Sequence, residues 1–249
     1  MNIVGPLKSF LNRLGMLYVR SLCAREYRKQ KYLGINERPI EFAFLFRQLA
    51  EFWPKTILDV GTGMTALPHL MRNCGFLVTA TDNIKDYWPA GMTNRHYHVV
   101  NDDITRTALT ETFDVITCIS VLEHIHGHRE AMISMYKLLK PGGRLILTCP
   151  YNENTYVSNV YKLPDSSVRD DFSFATQAFS RKELASWLSD SAFELLEQEY
   201  WQFFSGEFWT CGEKLSHPAR VTRKDRHQLC CLSFVKPANK TRATSSPTQ

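Results

Sequence analysis

Residues 57–67, with the sequence ILDVGTGMTAL, place an acid and two glycines directly after an apolar run. Gly61, Gly63 and Ala66 satisfy the pattern G-x-G-x-x-A, one form of the dinucleotide fingerprint. The two glycines let the backbone turn tightly and approach a ligand with no Cβ in the way. Asp59 precedes them by two residues, where a cofactor other than a dinucleotide would use it. The stretch predicts a nucleotide site but does not identify which nucleotide binds there.

Further polar groups follow later strands. Asp82 ends the second predicted strand, where a carboxylate can accept both ribose hydroxyls of NAD or of another adenosine cofactor. The sequence NDDI, residues 101–104, follows the third strand, where a carboxylate could receive the adenine amino group. The sequence LLKPGGRLILT, residues 138–148, supplies a Pro-Gly-Gly turn before the fifth strand. Each of these features strengthens the interpretation of the glycine turn as part of a nucleotide site.

Such side chains need a scaffold that brings strand ends together. Strands are predicted at 56–60, 77–81, 96–100, 113–120, 144–149, about 193–201 and 229–235. Predicted helices alternate with them, among them one that starts at Pro39, one that ends near Gly75, and one capped by Ser180 and Glu183. This alternation predicts an α/β fold with a doubly wound, mostly parallel, seven-stranded sheet and an N-terminal helical cap. Ligands bind such sheets beyond the carboxyl ends of the strands.

In these stretches the chain resembles the class I S-adenosylmethionine-dependent methyltransferases. The matching sequences, in family order, are ILDVGTG, TATDN, NDDI, FDVITCISVLEHI and LKPGGRLILT. The later FSRKELASWLSDSAFELLEQEYW resembles the family's penultimate helix and strand. The resemblance points to the small-molecule methyltransferases with a VLEH signature, and it implies a Rossmann-like methyltransferase fold with S-adenosylmethionine as cofactor. Thr65 departs from the family, which often has a third glycine there.

The resemblance also implies how the cofactor is held. Asp59 would lie near the α-ammonium group, through water or the amides of the glycine loop. Asp82 and Asp103 would fix the adenosine, and Ser120 and Val121 would line the sulfonium edge. The complete implied set is Asp59, Gly61, Thr62, Gly63, Asp82, Asn83, Asp102, Asp103, Ile104, Ser120 and Val121. Holding the acceptor atom near the methyl carbon would be the main task of the protein.

The sequence VLEHIHGH, residues 121–128, carries the candidate catalytic group. His124 stands where family members present a polar side chain to the acceptor, and a histidine there could take a hydroxyl proton. A purely structural hydrogen bond is the alternative. Glu123 and the three histidines are also potential metal ligands. The ubiquinone-pathway and small-RNA 2′-O-methyltransferases resemble the chain here but carry an extra Glu where it has Ser120, so no metal is predicted.

The chain divides into three predicted parts. Residues 1–38 form a basic helical cap, residues 39–235 the methyltransferase domain, and residues 236–249 a disordered tail. Within the domain, the polar and aromatic segment 151–180 is the predicted acceptor lid, together with the N-terminal helix. That helix has no uncharged run long enough for a membrane span or a signal peptide. Being basic and amphipathic, it could lie on an anionic membrane or cover a domain edge.

The predicted function is methyl transfer to a small molecule, at a hydroxyl of a sugar or other metabolite. An RNA 2′-O-methyltransferase is the alternative within the same class, with phosphates tracked by Arg220, Arg223, Lys224 and Arg226. An NAD-dependent oxidoreductase and a non-catalytic cofactor-binding protein are alternatives of other classes. The net charge of +5 permits a nucleic acid without arguing for one. The seven cysteines show no C-x-x-C spacing and fit a reducing cytoplasm.

Overall fold

The computed structural model describes residues 4–32, 34, 36–88, 90–168 and 174–238. The chain forms two compact units, Met1–Arg38 and Pro39–Gln249. The first contains helix α1, Val4–Lys29. No helix in the described ranges is both long and apolar enough to cross a lipid bilayer. Most of the predicted disordered tail, from residue 239 onward, lies outside the described residues.

The second unit is built on one eight-stranded sheet. Its strands are β1 Thr56–Val60, β2 Leu77–Asp82, β3 Val99–Asn101, β4 Phe113–Ile119, β5 Leu139–Pro150, β6 Glu194–Phe204, β7 Lys214–Val221 and β8 Leu229–Val235. They are arranged in the order β3-β2-β1-β4-β5-β8-β6-β7. Strands β1 to β5 are parallel, and β8 runs antiparallel to both of its neighbours. Because the order reverses between β1 and β4, the switch point lies beyond the carboxyl ends of those two strands.

Helices cover both faces of this sheet. They are α2 Arg38–Phe52, α3 Leu67–Asn73, α4 Ile84–Tyr87, α5 His128–Leu138 and α6 Arg181–Ser191. One core joins Leu45 of α2 to Val115 of β4, and the other joins Met135 of α5 and Trp187 of α6 to Ile116. Burial on both faces explains why β4 reads as a continuous apolar run. The predicted α/β, mostly parallel, doubly wound architecture is confirmed.

Two predicted helix ends are also confirmed. The backbone N–H of Ser180 donates to the Glu183 carboxylate at 3.0 Å, and the Ser180 hydroxyl accepts from the backbone N–H of Lys182 at 3.2 Å. At the end of α3, Gly75 has a φ of +99° and donates its N–H to the Arg72 carbonyl at 2.9 Å. These contacts satisfy backbone groups that a helix end leaves without partners.

The predicted count of seven strands is wrong, because β7 is an eighth strand between the last two predicted ones in the sequence, and no apolar pattern indicates it. This strand lies at the edge of the sheet and is mostly exposed, and it contains Pro218, so it has no alternating apolar face. Strand β3 is also shorter than the predicted 96–100. The Asn94 side chain accepts from the N–H groups of His96 and Tyr97 and holds the chain there in a turn. Side-chain turns of this kind compete with strand pairing.

Two histidines, His128 half-buried and His227 buried, link the stability of the fold to pH. His128 accepts a hydrogen bond at Nδ1 from the Trp187 indole N–H at 3.0 Å. His227 is 3% exposed, and its ring packs against Tyr151 and Tyr200. Burial lowers the pKa of both histidines below the usual 6.5, because it disfavours the charged ring.

Stability is therefore expected to fall as the pH falls from about 7 to 5.5. The unfolded chain takes up protons first in this range, at the ordinary histidine pKa of about 6.5. Urea denaturation at a series of pH values measures the effect. In a variant with both His128→Gln and His227→Gln, the dependence should be shallower. An equally steep dependence in that variant would contradict this explanation.

Candidate active site

The turn after β1 is fixed by the positive φ values of its glycines, +72° at Gly61 and +55° at Gly63. The N–H of Gly61 donates to the carbonyl of Thr81 at 2.8 Å. A Cβ placed on Gly61 would lie 2.3 Å from a methyl group of Val121. Since that approach is impossible for a larger residue, only glycine allows the turn to pack against the chain that follows β4.

Asp59 lies beneath this turn and is 2% exposed. Its Oδ1 accepts from the Thr117 hydroxyl and its Oδ2 from the Thr62 hydroxyl, each at 2.6 Å. The carboxylate thereby ties the glycine turn to β4. This geometry fits a role that reaches a ligand through the amides of the turn.

Asp82 lies beside the glycine turn at the end of β2. Its Oδ2 accepts from the N–H of Gly63 at 2.7 Å, and its Oδ1 accepts from the Trp88 indole N–H at 2.9 Å. The N–H of Asp102 donates to the Asp82 carbonyl at 3.0 Å, and this bond holds the end of β3 beside the end of β2. Sequence reasoning missed Trp88, which follows Asp82 by six residues. The structure thus joins the predicted residues of β1, β2 and β3 in one continuous edge.

The two acids that follow β3 have different surroundings. Asp103 caps a short 3₁₀ turn by accepting from the N–H of Thr105 at 3.0 Å, and it pairs with Arg106 at 3.0 Å. Asp102 accepts from the N–H of Ala108 at 2.9 Å through Oδ1. Its Oδ2 is buried and has no hydrogen-bond partner among the described residues. Because a buried acceptor without a donor is unfavourable, Asp102 suits an amino group better than Asp103 does.

Two other predicted residues in this region have structural contacts. Asn83 caps α4 by accepting from the N–H of Asp86 at 3.3 Å. Ile104 is buried and belongs to the core on the α5 side of the sheet. Both therefore shape the ends of β2 and β3.

Ser120, directly after β4, is a non-glycine residue with a φ of +50°. Its hydroxyl donates to Glu41 at 2.5 Å, and the hydroxyl of Thr148 donates to the same carboxylate oxygen at 2.7 Å. Glu41 belongs to α2 and is fully buried. Sequence reasoning missed it, although it stands four residues before Leu45 on the buried stripe of the helix. The carboxylate holds the turn at the switch point in its uncommon conformation.

His124 ends the 3₁₀ turn Leu122–His124. Its Nδ1 lies 2.9 Å from the carbonyl oxygen of Ala175 in the predicted lid. A carbonyl can only accept, so Nδ1 carries the proton of the neutral ring and Nε2 carries the lone pair. The structure thus sets the tautomer in which Nε2 is the nitrogen able to take a proton.

Aromatic rings surround this histidine. The rings of Tyr87 and Phe174 are stacked 5.0 Å apart, and their centroids lie 6.4 and 6.3 Å from that of His124. Burial, and then the nearby Glu123, raise the pKa of Tyr87, which keeps its hydroxyl protonated. Tyr151, by contrast, is 1% exposed and stacks on His227. The Tyr151 ring is therefore used in packing within the core.

Gln177 attaches the lid segment to the turn that carries His124. The backbone N–H of Gln177 and its side-chain amide donate to the Glu123 carbonyl at 3.0 and 3.1 Å. The same amide donates to the Ile125 carbonyl at 2.9 Å, and its oxygen accepts from the Tyr156 hydroxyl at 2.8 Å. Gln177 is 2% exposed, so solvent does not compete for these bonds.

The basic residues near β7 are largely paired. Arg220 forms an ion pair with Glu199 at 3.1 Å and Arg223 one with Glu153 at 2.6 Å. Arg226 lies 3.7 Å from the carboxylate of Glu207. Partial neutralisation of these cations weakens the case for a phosphate-tracking surface. In the described part of the chain, no three His, Cys, Asp or Glu side chains are placed to share a metal ion.

Comparison with known families agrees with this geometry. Residues 28–198, more than half of the chain, match a family described as a methyltransferase domain. Among curated proteins, the ubiquinone biosynthesis O-methyltransferase of Schizosaccharomyces pombe mitochondria is 33% identical over 112 residues, 42% of this chain and 41% of that protein. The enzyme of the same name from Hydrogenovibrio crunogenus is 28% identical over 135 residues, 51% of this chain and 55% of that protein. The chain thus spans about half the length of these relatives.

Solved structures show the same fold. The 1,6-didemethyltoxoflavin-N1-methyltransferase of Burkholderia thailandensis aligns with a TM-score of 0.54 at 16% identity, covering 91% of this chain and 89% of that one. An S-adenosylmethionine-dependent methyltransferase of Clostridium acetobutylicum aligns with a TM-score of 0.52 at 14% identity, covering 88% and 100%. At such identities the likeness establishes the fold alone. The predicted Rossmann-like methyltransferase fold is confirmed.

Proposed function

This chain belongs to the methyltransferase-domain family, and on that premise we propose that it moves a methyl group from S-adenosylmethionine to a hydroxyl of a small molecule. The observation that carries the proposal is the meeting of the glycine turn, Asp82 and Val121 beyond the carboxyl ends of the parallel strands. The names of the curated relatives support an oxygen atom of a small molecule as the acceptor. A sugar or another hydroxylated metabolite has the required chemistry.

The residues at this edge fit the proposed cofactor. The two glycines of the turn carry no Cβ and have positive φ values, so the backbone of the turn can approach a ligand closely. Asp82 offers a carboxylate to the ribose hydroxyls, for which Trp88 must release Oδ1. The buried Oδ2 of Asp102 supplies an acceptor for the adenine amino group. When bound, the cofactor supplies an electrophilic methyl group on a sulfonium.

The chain itself positions the acceptor and removes a proton. Nε2 of His124 takes the proton from the acceptor hydroxyl, while Nδ1–H remains bonded to the Ala175 carbonyl. That bond fixes the ring and stabilises the imidazolium that forms. The rings of Tyr87 and Phe174 limit the access of water and offer an apolar face to the body of the acceptor.

Transfer of a labelled methyl group to a metabolite mixture by the purified protein tests this function. Labelled products carrying the methyl group on oxygen are expected. Labelling of RNA with none in the metabolite fraction would instead favour the RNA 2′-O-methyltransferase alternative. Binding of the cofactor without any labelled product would favour a non-catalytic protein.

The proposal also covers the cellular compartment of the protein and its contact with a membrane. All seven cysteines are free thiols, five of them buried, which fits a reducing cytoplasm. Peripheral contact with a membrane through α1 belongs to the same proposal. The exposed side chains of that helix are apolar along one face and basic around it.

Gln177→Glu is expected to lower kcat by about 10- to 100-fold, with little change in cofactor affinity. The carboxylate cannot donate to the carbonyls of Glu123 and Ile125, so the lid and His124 lose their alignment. Steady-state kinetics and product-binding calorimetry separate the two effects. Tyr156→Phe is the matched control, because it removes only the bond to the Gln177 oxygen. An unchanged kcat in Gln177→Glu would show that this attachment does not position the base.

A further inference from the structure

The apolar side chains of helix α1 are exposed along its length. The helix spans 26 residues. Leu7, Phe10 and Leu17 are 56%, 59% and 61% exposed. Among the described residues before Arg38, no second helix or strand is present to cover them. The helix therefore presents a large apolar surface that the residues of its own unit do not bury.

Most of these side chains lie on one face of the helix, while Met16, Val19 and Tyr27 lie outside it. The residues of the face are spaced one, three or four positions apart: Leu7, Phe10, Leu11, Leu14, Leu17, Tyr18 and Leu22. At about 100° per residue they span an arc of about 140°, with Leu14 near its centre. Met16 lies on the opposite side and is also exposed. An arc of this width is typical of a helix that buries one side in an apolar phase.

Cationic side chains flank the apolar arc. Arg13 and Arg20 lie along one border and Lys8 along the other, whereas Arg25 and Arg28 lie in line with the arc and end it after Leu22. Residues 4–32 contain seven basic residues and one acidic residue. Long cationic side chains at such borders reach outward to anionic groups, and their aliphatic stems extend the apolar surface.

We infer that α1 binds the surface of an anionic membrane, with Leu14 facing the acyl chains and the bordering cations on lipid headgroups. The combination of features selects this partner. Phosphates of a nucleic acid would engage the cations but leave the apolar arc in water, whereas an anionic bilayer satisfies both. The helix lies in the plane of the interface. This inference does not depend on the reaction that the second unit catalyses.

Flotation of the full chain with vesicles tests the inference. Vesicles of 70% phosphatidylcholine and 30% phosphatidylglycerol are compared with vesicles of phosphatidylcholine alone. We expect binding to the anionic vesicles that weakens as salt is raised, and at least about 10-fold weaker binding to the neutral ones. Leu14→Asp should reduce binding to the anionic vesicles by about 10-fold or more, and Met16→Asp, on the opposite face, should leave it nearly unchanged.

Circular dichroism and the midpoint of thermal unfolding establish that each variant is folded. Absence of the wild-type protein from the floated anionic vesicles would overturn the inference. Equal losses in Leu14→Asp and Met16→Asp would also overturn it, because the apolar face would then have no special role. A third outcome would also overturn the inference. If the wild-type protein binds no vesicles but binds an RNA homopolymer in a salt-sensitive way, and Leu14→Asp binds the RNA equally well, the cations serve a nucleic acid.

Discussion

Replacing His124 with alanine is expected to lower kcat by about 100- to 10,000-fold, the usual contribution of a positioned general base. The hydrogen bond from Nδ1 to Ala175 leaves Nε2 as the proton acceptor, and alanine has no group that can replace it. The affinity for S-adenosylhomocysteine should change little, because Asp82 and Asp102, proposed to bind its ribose and adenine, lie on other turns. Single-turnover kinetics with labelled cofactor measure the loss directly.

His126→Ala is the matched control for this variant. His126 follows two residues later, is exposed, and takes no part in the proposed chemistry. Its removal should leave kcat within about threefold, since surface substitutions are usually near neutral. A His124→Ala enzyme with the wild-type rate would restrict this histidine to the structural alternative.

Asp82→Ala is expected to weaken the binding of S-adenosylhomocysteine by about 100-fold or more. A hydrogen bond to a charged group contributes about 1.5–3 kcal/mol, and the carboxylate is proposed to accept two from the ribose. The variant also removes the acceptor that holds the N–H of Gly63 at 2.7 Å, so the glycine turn itself loosens. Isothermal titration calorimetry reports both the affinity and the stoichiometry.

Two further variants separate these contributions. Asp82→Asn can still accept from Gly63 through its amide oxygen, so we expect an intermediate loss of affinity. Asp86→Ala removes an exposed carboxylate from α4 that pairs with Arg106, and it should bind the product as the wild type does. Wild-type affinity in Asp82→Ala would exclude Asp82 from the cofactor site.

Much of the core architecture could be predicted because it rests on local signals. Strand β1 and the Ser180 cap of α6 appear in the sequence as an apolar run and as a capping box, and both are present. The sequence of strand β7 lacks an apolar pattern of this kind. The strand lies exposed at the edge of the sheet, so it does not need alternating apolar residues. Its pairing with β6 depends on a tertiary contact that sequence spacing does not encode.

The site was predictable to the extent that it follows strand ends. Gly61, Gly63 and Asp82 meet as expected, because parallel strands place their carboxyl ends at one edge. Glu41 and Trp88 could not be assigned in advance, since their roles arise from contacts across the fold. A glutamate on a helix most often faces solvent, and a tryptophan most often packs in a core.

The distinction between Asp102 and Asp103 also required the structure. Adjacent acids in NDDI are equivalent in sequence, and the expectation placed Asp103 on the adenosine. In the fold Asp103 is used by Thr105 and Arg106, which leaves Asp102 with an oxygen that has no described donor. Local turn geometry therefore decides which of two neighbouring carboxylates keeps an oxygen without a described donor.

Calorimetric titration of the wild-type protein with S-adenosylhomocysteine, beside a parallel titration with NADH, shows which cofactor the glycine turn binds. We expect saturable heat with one S-adenosylhomocysteine molecule bound per chain, and none with NADH. A folded protein that releases heat with NADH and none with S-adenosylhomocysteine would contradict the assignment of the glycine turn and Asp82 to a methyl donor.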